Sequence, residues 1–282
     1  MNKKIIILLS AKRCGSTAIF NLFQKHDDVK ILHSNQNIIN WEPQFWTYAI
    51  KAISGKVEEF NDRIQNTLGI DKCFLKKKYY AKCIFTIFDR ILDKFGPIIF
   101  DKSPQYLGSE EAMRLLIKYK NSRPMNQFVF FSFIRNPLDA ITSQHELWSH
   151  YTQEKSLSAR ENSWLKKYNH LENLQKIINI KLYKYEEYCQ NPKKYTKDLM
   201  NYCGLRYSDK LSSHLVSKSV GRYYVTPYKS IKKWKFKKEL ENHMKKYGYS
   251  KVNNDISFKD KTTLFMTSFK RMLVPIYEKF FK

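Results

Sequence analysis

Ile5-Ile-Ile-Leu-Leu-Ser-Ala-Lys-Arg-Cys-Gly-Ser-Thr17 runs from an apolar segment through a short polar turn into a helical pattern. Five apolar residues, Ile5 to Leu9, read as a buried strand, and Ile19, Phe20, Leu22 and Phe23 then recur at helical spacing over Thr17 to Lys25. A strand, a tight turn and a helix N-terminus aim backbone N–H groups at one point, where the helix dipole favours an anion. The nucleotide phosphate-loop pattern G-x-x-x-x-G-K-[ST] is met only in part. Gly15 and Thr17 are in place, but Ser10 stands for the first glycine and Ser16 for the lysine. The turn suits a phosphate, yet it lacks the side chain that grips a triphosphate. Its positive charge lies upstream at Lys12 and Arg13, and the Ser16 and Thr17 hydroxyls add hydrogen-bond donors.

Working outward, strand-like runs bounded by turns fall at Lys4–Leu9, Pro97–Phe100, Phe128–Ile134 and Ile180–Tyr185. Helical patterns lie between them, clearest over Glu110 to Lys120 and over Pro192 to Tyr202. In the latter, proline stands near the start and Gly204 falls where a C-terminal cap belongs. Strands alternating with helices predict an α/β fold with a central, mostly parallel sheet flanked by helices on both faces. Ligands of such sheets gather at the carboxyl ends of the strands. Residues 1–250 are expected to form one domain, and 251–282 a C-terminal helical extension packed on it. The stretch after about residue 228 is basic with interleaved aromatics, which fits solvated helices on the core or an interfacial helix at a membrane surface.

A second element is Phe131-Ser-Phe-Ile-Arg-Asn-Pro-Leu-Asp-Ala-Ile-Thr-Ser143, where a hydrophobic strand ends in Arg135-Asn136-Pro137 and a helix carries Ser143. A guanidinium fork at a strand end and a hydroxyl two turns into the helix can converge on one phosphate. Taken together, a Gly-Ser-Thr loop on the first strand and R-N-P-x-D-x-x-x-S followed by Trp148 resemble the sulfotransferase family. Asp101-Lys-Ser-Pro-Gln-Tyr-Leu107 resembles a segment of its glycan-type members, and Ser219 to Val225 resembles its late Gly-Arg loop. Leu182 to Leu205 resembles the family's tyrosine, paired acids and following helix, and Trp234 to Tyr249 its closing helix.

The resemblance implies a three-layer, P-loop nucleotide-kinase-like architecture and 3′-phosphoadenosine-5′-phosphosulfate (PAPS) as co-substrate, with adenosine 3′,5′-bisphosphate as product and no metal required. One 5′-phosphate carrying the sulfuryl group explains why the loop dispenses with a triphosphate-gripping lysine. Lys12, Arg13, Cys14, Gly15, Ser16 and Thr17 would cradle that phosphate. Arg135 and Ser143 would hold the 3′-phosphate, with Gly221 and Arg222 closing over it. In-line transfer to a hydroxyl or amine builds charge on the bridging oxygen, where preorganised cations help most; Arg13 and Lys102 are the candidates. A base is also needed. Glu42, set among Trp41, Phe45, Trp46 and Tyr48, is the first candidate, and His33 the second. Those aromatics could stack on sugar faces or belong to the core. The acceptor implied is a carbohydrate or glycolipid.

Composition narrows the alternatives. Lys and Arg number 51 against 26 Asp and Glu, a net charge of +25, which attracts anions. The lysines spread along the chain rather than clustering on one element, so a nucleic-acid-binding protein is the weaker reading. A P-loop small-metabolite kinase is opposed by Ser16 at the lysine position. The cysteines (Cys14, Cys73, Cys83, Cys189, Cys203) are odd in number and scattered, with no C-x-x-C pair, and read as reduced thiols. Charged Lys12-Arg13 stand where a signal peptide would need a neutral cleavage site. The expectation is therefore a cytoplasmic protein, with surface contact to a membrane through its C-terminal region.

Overall fold

The first strand, β1 (Lys4–Leu8), lies at the centre of a five-stranded sheet, because both of its faces are apolar. Ile5, Ile7 and Leu9 enter one core, while Ile6 and Leu8 enter the other. The computed structural model describes residues 2–32, 42–68, 80–148, 156–212, 220–250 and 261–269, with side chains 67–82 and 148 left aside. The remaining strands are β2 (Lys30–Ile31), β3 (Ile98–Lys102), β4 (Gln127–Ile134) and β5 (Ile180–Lys184). Their order is β2-β3-β1-β4-β5, and every neighbouring pair is parallel. The four expected strands are thus present, with ends moved by one or two residues. β3 extends to Lys102, which makes that lysine the last strand residue. The two-residue β2 was not foreseen.

Helices cover both faces, as near-continuous apolar strands require. On one side, α1 (Ser16–Gln24) and α9 (Pro192–Tyr202) pack through Phe20, Phe23, Leu199 and Met200. Phe23 stacks on Phe100 of β3 with ring centroids 4.2 Å apart. The other side carries α2 (Phe45–Ile53), α3 (Val57–Leu68), α4 (Tyr80–Phe95), α5 (Glu110–Asn121), α6 (Pro137–Trp148) and α7 (Leu157–Gln175). Helix starts follow local chemistry. Ser109 and Asn191 accept hydrogen bonds from Ala112 N and Lys194 N at the heads of α5 and α9. Gly204, at φ +60°, follows α9 as expected.

Phe45 and Trp46 are fully buried, with Trp46 centroids 4.6 Å from Phe88 and 5.2 Å from Tyr119. They are core residues and are not available to stack on a sugar; Trp41 lies outside the described residues. After β5 come α8 (Tyr185–Gln190), α10 (Arg222–Val225), α11 (Lys229–Lys232) and α12 (Lys238–Lys246). α12 docks on α7, where Glu161 accepts from Lys237 N at 2.6 Å and His243 meets Asn169 at 2.8 Å. Residues 261–269 are helical, burying Leu264 and Ser268 while Phe265, Met266 and Phe269 are exposed. Among the described residues no helix is long and apolar enough to cross a membrane.

Candidate active site

The register sets three strand ends side by side. Leu8 of β1 lies opposite Lys102 of β3 and Phe131 of β4, and Leu9 N donates to Phe131 O at 2.9 Å. From β1 the chain crosses toward the β2 edge, whereas from β4 it continues to β5. The connections diverge at this point, and in such sheets the crevice so formed is the ligand site. A cavity of about 450 Å³ opens here. Lys12, Arg13 and Gly15 to Ala18 form one wall, Glu42 and Gln44 a second, and Lys102, Pro104 and Gln105 a third. Arg135 and Tyr185 complete it.

The loop is held in an unusual backbone shape. Gly15 has φ +91°, and a Cβ there would collide with the Tyr185 ring. Both facts demand glycine. Arg13 also lies in the left-handed region, at φ +66°. Its Nε donates to Ser143 Oγ at 3.1 Å, joining the loop to α6. Arg135 makes the second tie: its Nη1 donates to the Arg13 carbonyl at 3.0 Å, and its guanidinium lies 5.3 Å from the Tyr185 ring centroid. Arg135 is only 2% exposed. The two sequence elements thus converge on one site, with Asn136 N donating to Glu186 at 2.8 Å and Tyr249 OH donating to the same carboxylate at 2.9 Å.

Opposite the loop, Lys102 Nζ and Glu42 Oε1 are 2.6 Å apart. Burial pushes the Glu42 carboxyl above its ordinary range, and the adjacent Lys102 opposes that shift. Arg63 donates to the Glu42 main-chain carbonyl, fixing the residue where it enters the wall. Behind this pair, buried Asp101 accepts from Tyr106 OH at 2.9 Å. Desolvation drives the Asp101 pKa up to about 7.

Nine of the sequence-derived positions are brought to this region, and the Cys14 side chain, Gly221 and Arg222 are placed elsewhere. Lys12, Arg13, Gly15, Ser16, Thr17, Glu42, Lys102 and Arg135 line the cavity. Ser143 lies behind Arg13, and the Cys14 backbone stays within the loop. The Cys14 side chain, however, turns into the core, where its Sγ lies 3.2 Å from the Tyr168 hydroxyl, which donates to Phe133 O at 2.8 Å. Burial raises that thiol to about 11, so it supplies no charge to a ligand. Gly221 and Arg222 do not line the cavity; their polar groups are taken up by acids of α6. His33 lies outside the described residues. Tyr185 and Gln105 are further wall residues, beyond those expected from the sequence. Tyr185 opens the paired-acid segment already singled out, and that position was its only sequence signal.

A Gly-Ser-Thr turn after β1, an arginine after β4 and an all-parallel sheet define an α/β protein of the kind whose ligand sits at the carboxyl ends of its strands. The chain belongs to the sulfotransferase family, whose model matches residues 5–209. The usual sulfuryl donor of that family is PAPS. Among solved structures, a sulfotransferase domain from the curacin biosynthetic pathway is similar at 14% identity and a TM-score of 0.56, covering 89% of this chain and 99% of that one. The sulfotransferase domain of the Synechococcus PCC 7002 olefin synthase is similar at 15% identity and a TM-score of 0.51, covering 94% of each chain. These likenesses speak to the fold alone. A search among curated proteins found no match.

Proposed function

We propose that this enzyme moves a sulfuryl group from PAPS to a hydroxyl or amine of a carbohydrate or glycolipid. The observation that carries the reading is the arrangement of one carboxylate, Glu42, among four cations, Lys12, Arg13, Lys102 and Arg135, around a single cavity. Bound there, the co-substrate would supply an electrophilic sulfur and a phosphate leaving group. The Gly15-Ser16-Thr17 turn would hold the 5′-phosphate with backbone N–H groups and hydroxyls. Arg135 would take the 3′-phosphate together with Ser143, whose hydroxyl also accepts from Arg13 Nε. Arg13 and Lys102 would stabilise charge on the bridging oxygen. Glu42, its proton affinity raised by burial, would take the acceptor proton.

The Asp101-Lys102-Ser103-Pro104 segment and a glutamate base support a carbohydrate acceptor. Exposed Phe265, Met266 and Phe269 support peripheral contact with a membrane surface, which would bring a glycolipid within reach. Free Cys14, Cys83, Cys189 and Cys203 support a cytoplasmic setting. Residues 1–250 would form the catalytic domain and 251–282 its helical extension.

Transfer of labelled sulfate from PAPS to oligosaccharides, glycolipids, phenols and amines tests the reading. Label should enter the oligosaccharide or glycolipid arm, and Glu42→Gln should lower turnover by roughly 10²–10⁴-fold while retaining affinity for adenosine 3′,5′-bisphosphate. Label entering only phenols would overturn the acceptor class. Equal loss of turnover and nucleotide affinity would overturn the role of Glu42.

A further inference from the structure

α6 starts two residues after Arg135 and carries Asp139, Ser143 and Glu146 on one face, at i, i+4 and i+7. Asp139 and Glu146 are 1% and 2% exposed. Buried carboxylates are costly to desolvate and persist where partners compensate them. Here both carboxylates take partners from one distant segment, Gly221 to Thr226. Asp139 Oδ2 accepts from Gly221 N at 2.5 Å, and Oδ1 accepts from Tyr223 N at 2.8 Å. Gly221, at φ +81°, provides the left-handed turn that lets both N–H groups face one carboxylate. The same Oδ2 is 3.6 Å from Arg135 Nη2. Two turns along the helix, Glu146 Oε2 accepts from Arg222 Nη1 at 2.7 Å and Oε1 accepts from Thr226 Oγ1 at 2.8 Å. Arg222 Nη1 also donates to Ser268 Oγ at 3.1 Å.

We propose that Asp139 and Glu146 are positioning residues for the sulfuryl donor, fixing the Gly221–Thr226 segment beside Arg135 so that the 3′-phosphate end of the site stands assembled before the nucleotide arrives. Arg222 is then a rivet of this segment, and its guanidinium is not the group that meets the phosphate. The inference rests on the PAPS reading above. It adds a selectivity consequence: the two acids govern the affinity contributed by the 3′-phosphate and leave the 5′ half of the site unaffected.

Binding of adenosine 3′,5′-bisphosphate and of adenosine 5′-monophosphate to the full chain, measured by calorimetry, separates the possibilities. The natural chain must bind the bisphosphate; if it does not, the underlying reading fails rather than this inference. Asp139→Asn should weaken the bisphosphate by about tenfold or more, the scale of a lost charged hydrogen bond, and change the monophosphate less than about twofold. Glu146→Gln gives a second arm with opposite signs for the two roles of Arg222. As a rivet, Arg222 loosens the segment when Glu146 is neutralised, and bisphosphate binding falls several-fold. As a phosphate ligand it would be released by the same change, and binding would tighten. Unchanged or tighter bisphosphate binding in Glu146→Gln overturns the proposal, as does parallel loss of both nucleotides in Asp139→Asn. Should Asp139→Asn fail to fold, the Glu146→Gln arm decides alone.

Discussion

Glu42 and Lys102 each hold the other's charge at 2.6 Å, and the balance between burial and that ion pair sets how strong a base the carboxylate is. Asp101, one residue before Lys102, is likewise raised by burial, and the nearby Glu42 charge adds to the shift. Its folded-state pKa of about 7 exceeds the ordinary 3.8, so the folded chain binds that proton more tightly than the unfolded chain. The resulting stability is complete below about pH 3.8 and is lost as pH rises through 7. Asp101→Asn should therefore melt higher than the natural chain at pH 8, by a few degrees, with the gap closing toward pH 4. A gap that widened on acidification would show that Asp101 is held ionised. Asp101 illustrates what a sequence leaves hidden: it stands where apolar Ile98–Phe100 gives way to polar Lys102 and Ser103, and only the tertiary fold strips it of water.

At the scale of elements, the strand–turn–helix over residues 4–24 was legible because a buried parallel strand must be apolar on both faces. The Arg135 turn was legible for the same reason, since β4 delivers it at the end of eight residues that are mostly apolar. α7 left little trace. It is enclosed on several sides, and Arg160, Glu161, Lys167 and His170 are all buried, which erases the polar–apolar rhythm that marks a surface helix. β2 is too short to show any alternation. Within the site, loop residues were found from their chemistry, whereas Tyr185 entered only through its approach to Gly15. That contact gives a sharp expectation. Gly15→Ala places a methyl against the Tyr185 ring at a φ of +91°, so nucleotide affinity should collapse. Gly15→Ala paired with Tyr185→Ala should regain less than half of the loss in free energy, because the backbone strain remains. Full recovery would assign the whole effect to the ring.

On the scale of the molecule, the order β2-β3-β1-β4-β5 explains why residues from positions 12 to 185 meet. β1 runs into the loop, β3 ends in Lys102, and Arg135 follows β4, so three adjacent strands bring a loop and two cations together at their carboxyl ends. The net charge of +25 adds a long-range field of the sign that a doubly phosphorylated nucleotide requires. Arg135→Ala removes a buried cation that also braces the loop through the Arg13 carbonyl. Its loss should weaken adenosine 3′,5′-bisphosphate by about 1.5–3 kcal/mol, the range for a charged hydrogen bond, with a smaller effect on adenosine 5′-monophosphate.

On the proposed function, the carboxyl ends of β1, β3 and β4 receive a nucleotide with separate 3′ and 5′ phosphates. Thermal unfolding with adenosine 3′,5′-bisphosphate, with ATP and magnesium, or with an oligonucleotide tests it most directly, because a ligand of the folded state raises the melting temperature according to its affinity. The bisphosphate should give the largest shift, and Arg135→Ala should abolish most of it. Protection by ATP and magnesium with none from the bisphosphate would show a triphosphate site instead.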